Sequence, residues 1–135
     1  MISILIITHG RFGKEIIKSM EMIMGKQDNI YFLGLYPEDD PMVFSVKVKE
    51  KIIELSQNGE VLVMVDVFGG TPSNASASNM RELKFECVTG VSLPMLIEVV
   101  LNKTKSTLDE LIKIAIMAGT NSVIDLRKAI FCREN

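Results

Sequence analysis

Histidine and cysteine are scarce in this chain, and no apolar run is long enough to cross a bilayer. Its 135 residues include one histidine, His9, and two cysteines, Cys87 and Cys132. Two cysteines build no disulfide framework, and their spacing is not that of metal ligands. One histidine cannot build a zinc site of several, so no metal is expected. No stretch approaches the roughly 20 apolar residues of a membrane-spanning helix. The opening Met-Ile-Ser-Ile has no positive region of the kind that begins a signal peptide. Lysine and arginine number 15 against 17 acidic residues, a net charge of −2, with no basic cluster. That argues against nucleic acid or an anionic membrane as partner. Nucleotide and hydrolase signatures are absent: no GxxxxGK[ST] loop, no GxGxxG after a strand and no GxSxG elbow. A cytoplasmic protein without a resident cofactor is expected.

What is present is core. Apolar residues make up 47% of the chain, enough for one globular domain spanning residues 1–135. Four short runs, Ile2 to Ile7, Ile30 to Tyr36, Val61 to Val67 and Phe85 to Thr89, are rich in β-branched and aromatic residues and lack period-two alternation. Such runs suit strands covered on both faces of a parallel sheet. Between them, Phe12, Ile16, Met20 and Ile23 fall at helical spacing, as do Phe44, Val48, Ile52 and Leu55. A third helix is expected from Thr71-Pro72 to about Leu83 and a fourth from Pro94 to about Leu101. Ser106-Thr107-Leu108-Asp109 reads as a capping box before a last helix ending near Gly119. Val123 to Leu126 reads as a fifth strand. The fold class is therefore α/β, an open, mainly parallel four-stranded sheet in flavodoxin-like order with helices on both faces.

Ligands of such sheets sit at the carboxyl ends of the strands, near the switch in strand order. The first strand leads into Thr8-His9-Gly10. The third carries Asp66 after five apolar residues, followed by Val67-Phe68-Gly69-Gly70-Thr71-Pro72-Ser73-Asn74. A carboxylate so placed needs a partner. If the two strands are neighbours, an ionised Asp66 accepts one ring N–H of His9 and leaves the other nitrogen free as a nucleophile. The glycines and Pro72 open a helix whose first amides form a seat for a dianion. Gly70, Thr71, Ser73 and Thr8 are the candidate phosphate-binding residues, although each hydroxyl is also a plausible helix cap. A nucleophilic imidazole beside an anion seat is the equipment of phosphoryl transfer through phosphohistidine. Phe12 and Phe68 either ring the site for docking or point into the core, and the sequence favours neither. Arg11 reads as solvated.

Three spaced motifs carry a family resemblance: Thr8-His9-Gly10, the segment Asp66 to Ala75 (DVFGGTPSNA), and Gly90 to Glu98 (GVSLPMLIE), with Glu21-Met22 and Gly25 closing the first helix. Together they resemble the IIA component (EIIA) of the mannose family of the phosphoenolpyruvate-dependent sugar phosphotransferase system, over essentially the whole chain. The resemblance implies that His9 takes a phosphoryl group from the phosphocarrier HPr on Nε2 and passes it to a separate EIIB component. Through EIIB it would serve a membrane EIIC/EIID complex. It implies that Asp66 bonds the other ring nitrogen, that Thr71 and Ser73 lie around the phosphate, and that homodimers exchange the C-terminal strand Val123 to Leu126. Similar domains also serve as regulatory phosphohistidine domains or as phosphoryl donors to dihydroxyacetone kinase. From another class, a flavin mononucleotide module would favour a hydroxyl-rich loop after strand one, where Thr8 to Gly13 offers a single hydroxyl.

Overall fold

Strand β1 (Ile2–His9) is buried at every residue but His9. Its side chains alternate between two separate cores: Ile2, Ile4 and Ile6 enter one, Leu5 and Ile7 the other. That two-sided burial explains why the run shows no polar alternation. The computed structural model describes residues 1–132. It continues through α1 (Phe12–Met24), β2 (Ile30–Leu35), α2 (Pro41–Ser56), β3 (Glu60–Val65), α3 (Thr71–Asn79), β4 (Glu86–Thr89), α4 (Leu93–Asn102), α5 (Leu108–Asn121) and α6 (Leu126–Phe131).

The four strands form one all-parallel sheet in the order β2-β1-β3-β4. The expected order is thus found, and the switch falls between β1 and β3. One face is covered by α1, α4 and α5, whose Ile16, Met20, Leu96 and Leu111 meet Ile4, Ile6, Leu62 and Met64. The other is covered by α2, whose Phe44, Val48 and Ile52 meet Leu5, Ile7, Val63 and Val65, with Ala75 of α3 beside them. Phe44, Val48 and Ile52 lose essentially all their exposure, a burial that stabilises by roughly 1.5–3 kcal/mol per side chain. Among the described residues no helix is long and apolar enough to cross a membrane.

Several boundaries move. β3 ends at Val65 rather than Val67, so Asp66 stands just beyond the strand, and α3 stops at Asn79 rather than Leu83. The capping box lies one residue later than expected: the Thr107 hydroxyl accepts from the Glu110 N–H at 3.2 Å, and the Glu110 carboxylate accepts from the Thr107 N–H at 2.8 Å. The fifth strand is a correction. Val123 to Asp125 have no regular structure, and Leu126 begins a helix. The cause is local: the Asp125 carboxylate accepts the Lys128 N–H at 3.2 Å and caps α6. β4 is left at the edge of the sheet.

Candidate functional site

Because β1 and β3 are paired with Ile7 opposite Val65, the next residues of both chains emerge side by side at the carboxyl rim. His9 and Asp66, 57 residues apart, meet there. Asp66 Oδ2 accepts the His9 backbone N–H at 2.9 Å and lies 2.8 Å from His9 Nδ1. Its other oxygen accepts the Val67 N–H at 3.0 Å. Partial burial pushes the Asp66 carboxyl up, but the His9 backbone N–H and ring outweigh that and hold it below the ordinary carboxylate range. It is therefore ionised at neutral pH. An ionised carboxylate only accepts, so Nδ1 carries the hydrogen, and in the neutral ring the lone pair is then on Nε2. The carboxylate side chain is 14% exposed and the imidazole 50%, so the carboxylate is sheltered and the ring presented to solvent.

The Nε2 side of the ring faces the start of α3. A Cβ on Gly70 would lie 2.9 Å from His9 Cε1 and 3.4 Å from Nε2. Glycine is needed there to let the main chain approach the ring. Gly70 is the N-cap of α3 and makes no side-chain cap. Pro72 has no N–H, and the Asn74 N–H closes onto the Gly70 carbonyl at 2.8 Å. The amides of Thr71 and Ser73 stand too early in the helix to have an intrahelical acceptor. The positive end of a helix with such amides is a place that suits an anion. Thr71 and Ser73 are both half-buried at this rim. Asn74, not singled out from the sequence, donates its side-chain amide to the Gly69 carbonyl at 3.3 Å and ties the loop to the helix.

Thr8 is a correction. It is fully buried, and its hydroxyl oxygen accepts the Gly13 N–H at 2.8 Å. It supports the turn after β1 and does not line the anion seat. Arg11 is exposed and pairs with Glu15 at 3.3 Å. Phe12 and Phe68 are 48% and 83% exposed, so neither is core. Among the described residues no group of three or more metal-ligating side chains occurs.

This arrangement, a carboxylate-oriented imidazole against a helix N-terminus, coincides with a sequence match. The family model of the "PTS system fructose IIA component", EIIA-man, matches residues 3–116. The chain belongs to the EIIA-man family. As a member it is an EIIA component of the sugar phosphotransferase system. It is 35% identical over 100 residues to the PTS system fructose-specific EIIA component of Bacillus subtilis, covering 73% of this chain and 68% of that one. It is 30% identical over 128 residues to the PTS system mannose-specific EIIAB component of Escherichia coli. That alignment takes in 93% of this EIIA chain and only 40% of the longer EIIAB relative. The crystal structure of phosphotransferase system component EIIA from Streptococcus agalactiae superimposes with a TM-score of 0.87 at 30% identity, covering 95% of this chain and 99% of that one.

Proposed function

We propose that this EIIA chain carries a phosphoryl group on His9 between two protein partners, accepting it from phospho-HPr and delivering it to an EIIB component. The 2.8 Å contact between Nδ1 of His9 and Asp66 carries the reading, since in the neutral ring it directs the lone pair to Nε2. In the step, the Nε2 lone pair attacks phosphorus in line as the bond from phosphorus to the donor's histidine nitrogen breaks. That electron pair returns to the donor ring. The Nδ1 hydrogen stays where it is, and Asp66 balances the positive charge that grows on the ring. Thr71 and Ser73 amides stabilise the equatorial oxygens. The second transfer runs the same step in reverse, onto EIIB. Incubation with phosphoenolpyruvate, enzyme I and HPr is expected to add one acid-labile phosphoryl group per chain, read by intact mass. A chain that gains nothing rejects the role.

Both partners must seat on the same rim and leave it, which calls for a small, weak interface. The exposed rings of Phe12 and Phe68 flank the site in sequence, three residues after His9 and two after Asp66. Phe68→Ser is expected to raise the KM for phospho-HPr on the order of tenfold, with kcat little changed. An unaltered KM would remove Phe68 from the docking surface.

The homodimer belongs to the same reading. Val123, Ile124, Leu126, Ile130 and Phe131 are 54–87% exposed, an apolar density that lone surface residues do not account for. Beside the free edge of β4 lies a groove of about 490 Å³ lined in part by Cys87, Val88, Met95, Ile112 and Ile116. A second copy's tail in that groove would cover both apolar surfaces and the open edge. Removing residues 123–135 is expected to turn a dimer into a monomer by light scattering; an unchanged mass would place the interface elsewhere.

A further inference from the structure

Gly34 sits inside β2, in the run Ile30-Tyr31-Phe32-Leu33-Gly34-Leu35. A glycine within an aromatic and aliphatic strand weakens it and marks a place where another backbone comes close. Here that backbone is the turn leaving His9. The Gly10 N–H donates to the Leu35 carbonyl at 2.7 Å. A Cβ on Gly34 would fall 2.5 Å from the Gly10 carbonyl oxygen, 2.8 Å from the Phe32 ring and 3.0 Å from the Tyr36 hydroxyl. Gly34 has no left-handed φ, so alanine is barred by space alone. The first obstruction is a main-chain oxygen, which cannot swing aside as a side chain does.

Thr8 is the partner of Gly34 in the parallel register of β1 and β2. Its buried hydroxyl holds the Gly13 N–H at 2.8 Å, at the far end of the same turn. The near end is thus fitted onto Gly34 and the far end tied to Thr8. The imidazole has little latitude between them, because Asp66 holds its Nδ1 edge and Gly70 flanks its other side.

We propose that Thr8 and Gly34 are positioning residues for His9: by seating the Gly10 turn on β2 and tying it to Gly13, they set where the ring leaves β1, so that Nδ1 meets Asp66 while Nε2 faces α3. The inference rests on the reading of His9 as phosphoryl carrier, but the ring itself can be observed without any donor. Gly34→Ala and Thr8→Val push up or untie the turn; Thr8→Ser keeps the acceptor oxygen.

The experiment records the two ring ¹⁵N shifts of His9 by NMR and, separately, the phosphorylation rate at saturating phospho-HPr, with circular dichroism to confirm folding. In the native chain one nitrogen should carry hydrogen and the other a lone pair. In Gly34→Ala and Thr8→Val the two shifts should move toward each other as the Asp66 bond is lost. The rate should fall on the order of tenfold to a hundredfold, as expected for a reacting group displaced by a fraction of an ångström to one ångström. Thr8→Ser should restore both. Native shifts in Gly34→Ala and Thr8→Val overturn the proposal, and so does a slow rate with native shifts, which marks a docking or stability defect. Where Gly34→Ala fails to fold, the Thr8→Val and Thr8→Ser pair decides by the same readings. If the native chain takes up no phosphoryl group yet the shifts respond as stated, the positioning stands and the carrier role falls.

Discussion

His9→Gln is expected to abolish uptake of the phosphoryl group from phospho-HPr, leaving no slower path through another residue. Glutamine keeps polarity and approximate bulk at the rim, so the loss reads on chemistry and not on collapse of the site. The reason for completeness lies in what else the site offers. His9 is the only histidine in the chain. The hydroxyls of Thr71 and Ser73 are poor substitutes: without the imidazole the base left at the site is the Asp66 carboxylate, made weakly basic by its N–H donors, and a neutral hydroxyl is a weak nucleophile. The thiol of Cys87 is no substitute: burial pushes its pKa up to about 11, so it is protonated at neutral pH. Cys132 is the C-cap of α6, in the apolar tail. Intact mass after incubation with the full phosphoryl-donor chain checks the outcome. A phosphorylated His9→Gln chain would assign the carrier role to another residue.

The pairing of His9 with Asp66 was legible because its two halves are each anomalous in sequence, a lone histidine and a carboxylate after a buried run. Both fall at the ends of strands that parallel order makes neighbours. Thr8 was misread for a reason of strand geometry. Successive side chains of a strand point to opposite faces, so the residue beside an outward His9 turns inward, where its hydroxyl takes up Gly13. Proximity in sequence to a nucleophile was mistaken for proximity in space. In sequence Gly34 is one small residue inside the run Ile30 to Tyr36. Its contact is with a carbonyl 24 residues earlier in the chain, which no local pattern reports. Val123 to Leu126 has strand-like composition, yet the capping reach of Asp125 to Lys128 wins locally. Val123, Ile124 and Leu126 stay 64–87% exposed among the described residues, so little packing is there to override that cap.

Asp66→Asn is expected to fold and to slow phosphorylation of His9 by roughly 10²–10⁴-fold. The size follows from counting donors. In the native chain one carboxylate oxygen takes both His9 N–H groups and the other takes Val67. An amide has one oxygen. Turned toward His9, it still accepts the ring hydrogen but confronts the Val67 N–H with its own NH₂ and brings no negative charge to balance the ring as phosphorus arrives. Turned toward Val67, it opposes the His9 backbone N–H and donates to Nδ1, moving the ring hydrogen onto Nε2 and closing off the nucleophile. Either orientation leaves one main-chain N–H without its acceptor, so stability drops as well. The pH dependence has a definite sign. The folded-state pKa of Asp66 is depressed, so its contribution is complete above the ordinary carboxylate pKa and is lost as pH falls through the lowered value. The stability gap between native and Asp66→Asn chains should therefore be widest near neutral pH and narrow in acid. Denaturant titrations across that range, beside single-turnover labelling at neutral pH, test both halves: a gap independent of pH, or native labelling kinetics, would remove Asp66 from the roles its contacts assign it.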